Sequence, residues 1–335
     1  MTRRRIALHL VALALVVLSI AGAYALMHSR YAVPWLIEDL ASDDAGTRRR
    51  AMAGLARQGA DALPAVDALL ALARPERKAA DRVDAAGALV EISPAAAVNL
   101  IPRLGEELRD REAKVRYQAA MTLAALGPLG RPALPALVAA ARDPHELVRR
   151  WAVNALGRIG AAGPEASAAL VAALDDASEA VRHDALLAFS YGFVPRAALA
   201  QAEPALRRLT GHRRHAGLAA GVVREIEQPR PVALEVQLLG SALKSRHTGA
   251  RFALQKLALL GPEAAPALPG IQAALGDASA LNRYLAIEAL VAIGPAAASA
   301  LPALRARLDD PDAFVRRSAA AAVASRESGL AKDKP

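Results

Sequence analysis

Residues Asp143-Pro-His-Glu-Leu-Val-Arg-Arg-Trp-Ala-Val-Asn-Ala-Leu-Gly-Arg-Ile-Gly160 decide the fold. An Asp opens the stretch, Val148, Ala152, Leu156 and Ile159 follow at helical spacing, and Gly160 ends it. Positions five, nine, thirteen and sixteen after the Asp share one helix face, so the helix is amphipathic. The residues equivalent to Asp143 are Ser42, Glu76, Asp110, Asp176, Thr210, Lys244, Asp277 and Asp310, each 33 or 34 residues from the next. A fixed period of that size marks a stack of identical supersecondary units, each burying its apolar face on its neighbours.

Other positions repeat with the Asp. Six residues on stands an Arg in seven units: Arg48, Arg82, Arg116, Arg149, Arg182, Arg283 and Arg316. The terminating Gly recurs as Gly59, Gly127, Gly160, Gly261 and Gly294, often followed by Pro, which cannot continue a helix. Between units lies a second helical segment that begins with Leu-Pro, at Leu134, Leu268 and Leu301, where the missing proline N–H costs least. Val33-Pro-Trp-Leu-Ile-Glu-Asp-Leu40 fits the same template. The prediction is an all-α solenoid of about nine helical hairpins over residues 31–325, with a tail from 326 to 335.

The Leu-Pro of the first helix, the Asp and the Val-Arg that follows resemble HEAT repeats in their short form. The resemblance spans residues 31–325 and is weakest in units six and seven. The tetratricopeptide and ankyrin signatures, which share the period, are absent. The Asp is expected to N-cap the second helix, a contribution of about 1 kcal/mol. The resemblance implies that the Arg reaches the Asp of a neighbouring unit. Such rungs, if exposed, contribute about 0–1 kcal/mol each. The ladder breaks at unit six, which carries Thr210 and Ala216, and at unit seven, which carries Lys244 and Ala250.

The chain is 54% hydrophobic but only 3% aromatic, and Ala supplies much of the apolar share, so composition alone does not mark a multispanning membrane protein. It contains no Cys, which excludes disulfides, thiolate metal sites and cysteine nucleophiles. After the basic segment 1–5, an apolar run covers residues 6–27, long enough as a helix to cross about 30 Å of hydrocarbon. Arg3, Arg4 and Arg5 before it, against Arg30 after it, predict a cytoplasmic N-terminus and a single-pass signal anchor in a bacterial inner membrane. The solenoid would then face the periplasm. Tyr24, Tyr31 and Trp35 fall where an interfacial aromatic belt belongs. Small residues at Ala21-Gly-Ala23 and Ala23-Tyr-Ala25 also allow a cleaved signal peptide, which exports the same array.

Second helices of such arrays line the concave side, where partners bind. Opposite the buried stripe is the position seven after each unit start. It reads Arg49, Val83, Tyr117, Arg150, His183, Gly217, Arg251, Tyr284 and Arg317. Interface hot spots favour Trp, Tyr and Arg. The expected partner-binding set is therefore Tyr117, Arg150, Trp151, Asn154, His183, Arg251, Tyr284 and Arg317. A basic patch of Arg207, Arg208, Arg213, Arg214, Lys244 and Arg246 lies where the ladder breaks. With a net charge of +9, both point to an acidic protein surface or segment, or to phospholipid head groups.

No chemistry of other kinds is legible. His212 and His215 are three apart, but four neighbouring arginines should repel a cation, so neither metal nor cofactor is expected. Phosphate-loop and dinucleotide fingerprints are missing. The single His145-Glu146 pair does not match the deoxyhypusine-hydroxylase type of HEAT-like enzyme. The expected function is a non-catalytic, membrane-anchored scaffold or adaptor, an accessory subunit of an envelope complex. The alternative is a nucleic-acid-binding or HEAT-like base-repair protein, suggested by a basic inner face with Trp151 and Asp184.

Overall fold

The computed structural model describes residues 32–160, 163–191, 194–244 and 248–332. The expected membrane helix at 6–27 and Arg246 lie outside these. The second helices of the nine units, in order, are α1 Ala45–Gln58, α2 Ala79–Ile92, α3 Ala113–Leu126, α4 Glu146–Ile159 and α5 Glu179–Ser190. They continue as α6 Ala216–Glu227, α7 Thr248–Leu260, α8 Ala280–Ile293 and α9 Ala313–Lys332. A first helix precedes each, from Val33–Asp39 before α1 to Leu301–Arg305 before α9, and it is the shorter of the two except in unit six, where Arg196–Leu209 precedes α6. The described residues contain no strand. The last helix runs to Lys332, into the segment expected as a tail.

Val148, Ala152, Leu156 and Ile159 are all buried, as the periodicity requires, and so are Val153 and Ala155 beside them. The stripe is wider than one seam because the second helices pack against the second helices before and after them as well as their own first helices, except that α6 and α7 scarcely touch each other. Gly157 on α4 serves this packing: a Cβ there would lie 2.6 Å from the Cβ of Ala188 on α5. Consecutive second helices pack more extensively than consecutive first helices, so the array curves with α1–α9 on its inner side. Gly127 and Gly294 end α3 and α8 at positive φ, and a 3-10 segment then leads into the next first helix. The continuous helical stretches 113–140 and 280–305 are apolar and long enough to cross a bilayer. Half or more of the most apolar part of each is buried inside the solenoid.

The recurring Arg makes two kinds of bond at once. Nη1 of Arg149 donates to the carbonyls of Asp143 and Pro144 at 3.0 and 3.1 Å, closing its own unit's turn. Nε and Nη2 donate to the carboxylate of Asp176 in the next unit at 2.8 and 3.0 Å. Arg116 repeats this with Asp143, and Arg283 with Asp310. Unit two has Glu76 at the Asp position, and there Arg48 grips Asp81 instead, while Arg82 turns to Glu107.

Two expectations are corrected here. The rungs are not exposed: the side chains of Arg283 and Asp310 are 6% and 0% exposed. The Asp is not the N-cap of the second helix either. Its carboxylate accepts the backbone N–H two residues on, at 2.8 Å from His145 to Asp143, and so shapes the turn. Capping falls to the residue two positions later, as in Ser178, Ser279 and Asp312. One short carboxylate cannot both grip the neighbouring guanidinium and reach the first turn of its own helix.

The curvature brings the two ends of the array together, with unit eight beside unit two. Glu91 on α2 pairs with Arg251 on α7 and accepts from Ser279 Oγ at 3.3 Å. Asp312 accepts from Ser93 Oγ and from the N–H of Ala95 at 3.2 and 3.3 Å. Arg131 bonds Glu288 at 2.9 Å. These partners stand 157 to 219 residues apart in the chain.

Breaking one rung should be costly, because it strands a largely desolvated carboxylate. Arg149→Ala is expected to lower unfolding free energy by about 3 kcal/mol in chemical denaturation. Burial pushes the carboxyls of Asp143 and Asp176 up, but Arg116 or Arg149 and the turn N–H more than offset it, leaving both below the usual value. Their contribution to stability is therefore full above the unfolded carboxyl pKa of about 4 and is lost as pH falls through the lower folded values. Melting temperature should drop on acidification below that point, and more shallowly in Asp143→Asn with Asp176→Asn. The closure should yield to like charge: Glu91→Arg is expected to enlarge the radius of gyration in solution scattering with helicity unchanged. The swap with Arg251→Glu should restore it.

Candidate partner-binding face

The inner face is built by the position seven after each unit start, which the buried stripe turns away from the core. Tyr117 on α3, and Arg150, Trp151 and Asn154 on α4, are half-buried along it, and His183 on α5 is exposed. The guanidinium of Arg150 lies 5.8 Å from the centre of the Trp151 ring, within cation–π range. Its Nε donates to Asp184 on α5 at 2.9 Å. Arg49 and Asp84 repeat this link at 3.0 Å three units earlier. Arg150 is thus held by a buried carboxylate while its side chain stays 40% exposed.

The far end of the column is different. Arg251 is engaged by Glu91 across the closure. Tyr284 is 7% exposed, packs on Phe314 with ring centres 4.8 Å apart, and burial drives its hydroxyl pKa up. Arg317 remains exposed over the Phe314 ring. Of the eight residues expected to bind a partner, the structure gathers Tyr117, Arg150, Trp151, Asn154 and His183 on α3–α5. Arg251 and Tyr284 are spent on contacts within the chain.

The basic patch is largely neutralised. Arg207 bonds Glu203 and Glu227, Arg208 bonds Asp175, and Arg214 lies 3.4 Å from Glu179. Arg213 and Lys244 are exposed without an ion pair among the described residues. Sequence reading missed the acidic half of these arrangements, because the carboxylates lie in other units than the cations they meet: Asp184 and Glu179 in unit five and Glu91 in unit two. Asp84 and Asp184, both eight residues after a unit start, were the one available signal.

Helical hairpins stacked at a constant period, joined by Arg–Asp rungs and presenting a cationic–aromatic inner face, define an α-solenoid. The sequence matches the family of HEAT repeats over residues 101–190 and 236–324, more than half its length. The chain belongs to the HEAT-repeat family. Among curated proteins none matches it. Among solved structures, an engineered protein is similar at 20% identity over 58% of this chain and 98% of its own, with a TM-score of 0.40. Computationally designed armadillo repeat proteins for modular peptide recognition are similar at 22% identity over 57% of this chain and 98% of theirs, TM-score 0.38. The complex of CpcE and CpcF of phycocyanin lyase from Nostoc sp. PCC7120 gives 22%, 48% and 99%, TM-score 0.36.

Proposed function

We propose that this solenoid is a non-catalytic scaffold, held at a membrane by residues 6–27, that captures an acidic protein segment on the inner face of α3–α5. The observation that carries the reading is the fixed, half-exposed Arg150 stacked near Trp151, with Tyr117 one unit away. An aromatic anchor beside an arginine already oriented by a buried carboxylate loses little side-chain freedom on binding, which favours affinity. The partner presents a carboxylate to Arg150 and an apolar side chain to Trp151 and Tyr117.

The membrane part of the proposal rests on the Arg3–Arg5 segment and the apolar run after it. Trp35, at the start of the array and 58% exposed, suits a position against the bilayer interface. In this reading the solenoid faces the periplasm, as an accessory subunit that confines its partner to the membrane surface.

Arg150→Glu combined with Trp151→Ala should reduce the recovery of a cross-linked protein partner at least tenfold while the far-ultraviolet circular dichroism stays unchanged. Unaltered recovery would overturn the assignment of this face. A reporter that works only outside the cytoplasm, fused after Pro335, should be active in cells. Activity of a cytoplasm-only reporter at that position would overturn the exported topology and return attention to nucleic acid as the ligand.

A further inference from the structure

The break in the ladder brings three metal-binding side chains together. His215 sits five residues after the start of unit six, where units four and five place the buried Val148 and Val181. It is only 1% exposed, and neither ring nitrogen has a hydrogen-bond partner among the described residues. Nδ1 of His212 is likewise buried and unpartnered, and the two rings stack with centres 4.6 Å apart. An imidazole in a valine position, with no bond to satisfy it, costs stability for no structural return.

Glu179 supplies the third group. It opens α5, and the repeat aims the equivalent side chain of unit four at the following turn: Glu146 accepts from Ser178 Oγ at 2.7 Å. In unit six His212 stands where unit five has Ser178. One donor atom each from Glu179, His212 and His215 therefore falls within 4.8 Å of the others. Tetrahedral zinc, about 2.0–2.2 Å from each donor, needs them about 3.4 Å apart, within reach of small side-chain rotations.

The cation repulsion expected from the arginines is weaker than the sequence implies. Arg207 and Arg208 are paired with carboxylates, and Arg214 points to Glu179 from a largely exposed position. Arg182 directs Nη1 to its own turn's carbonyls at 2.6 and 3.0 Å.

We propose that Glu179, His212 and His215 bind a divalent transition-metal cation of the zinc class, clamping unit five to unit six where the Arg–Asp rung is missing. Three protein ligands leave a coordination position open to water or to a side chain of a partner.

The test uses the full chain, purified in detergent and stripped of metal. Zinc titrated by calorimetry against a competing chelator should bind at one equivalent and raise the melting temperature. Cobalt in its place should give the visible absorption of a four-coordinate nitrogen–oxygen site. His215→Val installs the residue of the sibling units, so the metal-free variant should melt no lower than the parent while zinc affinity falls at least a hundredfold. His212→Ala and Glu179→Gln should each weaken binding at least tenfold, and His145→Ala should leave it unchanged. Absence of stoichiometric binding overturns the proposal, as does binding retained in both His215→Val and His212→Ala.

Discussion

One guanidinium in each standard unit joins two turns. Nη1 closes the loop from which its own helix starts, and the other edge of the fork grips the carboxylate that shapes the next loop. The bond is bidentate, planar and largely desolvated, which makes it stronger and more directional than a surface ion pair. Because the same residue fixes loop conformation and unit spacing, the array keeps its register through helices whose Ala-rich faces would otherwise slide. Lysine could not do this, since its ammonium lacks the fork.

Where the rung is lost, the chemistry changes character. Between units five and six, Thr210 replaces the aspartate and its hydroxyl bonds the carbonyl of Arg207 in its own turn. The valine position of unit six is taken by His215, and arginines nearby find carboxylates outside the ladder. A repeat protein tolerates such a break because each unit is held mainly by its neighbours' apolar faces. Departures from the consensus are therefore the places where residues are free to serve something other than the stack.

Charge on the inner face follows a related logic. Basic residues of that column are set by acidic ones in other units, 34 or more positions away: Arg150 by Asp184, Arg49 by Asp84, Arg251 by Glu91. The first two keep their arginines oriented yet accessible. The third consumes its arginine in joining the ends of the array. A column uniform in composition is thus divided into an open part on α3–α5 and a closed part on α7 and α8.

The sequence by itself determined the hairpins, their period and the buried stripe, and its resemblance to HEAT repeats implied the partnership of Arg and Asp between consecutive units. All of these are set within one or two repeats, where helical periodicity and turn chemistry act directly. The role of each Asp was less legible, since an N-cap and a turn-shaping acceptor use the same residue type and differ only in which N–H is reached. Tertiary structure alone decided that Asp312 meets Ser93, that Glu91 meets Arg251, and that Glu179 joins His212 and His215. Curvature is the sum of small rotations between successive units, each fixed by packing details such as Gly157 against Ala188 rather than by the repeated pattern. Six such rotations bring the eighth unit back onto the second, and no local periodicity records that sum.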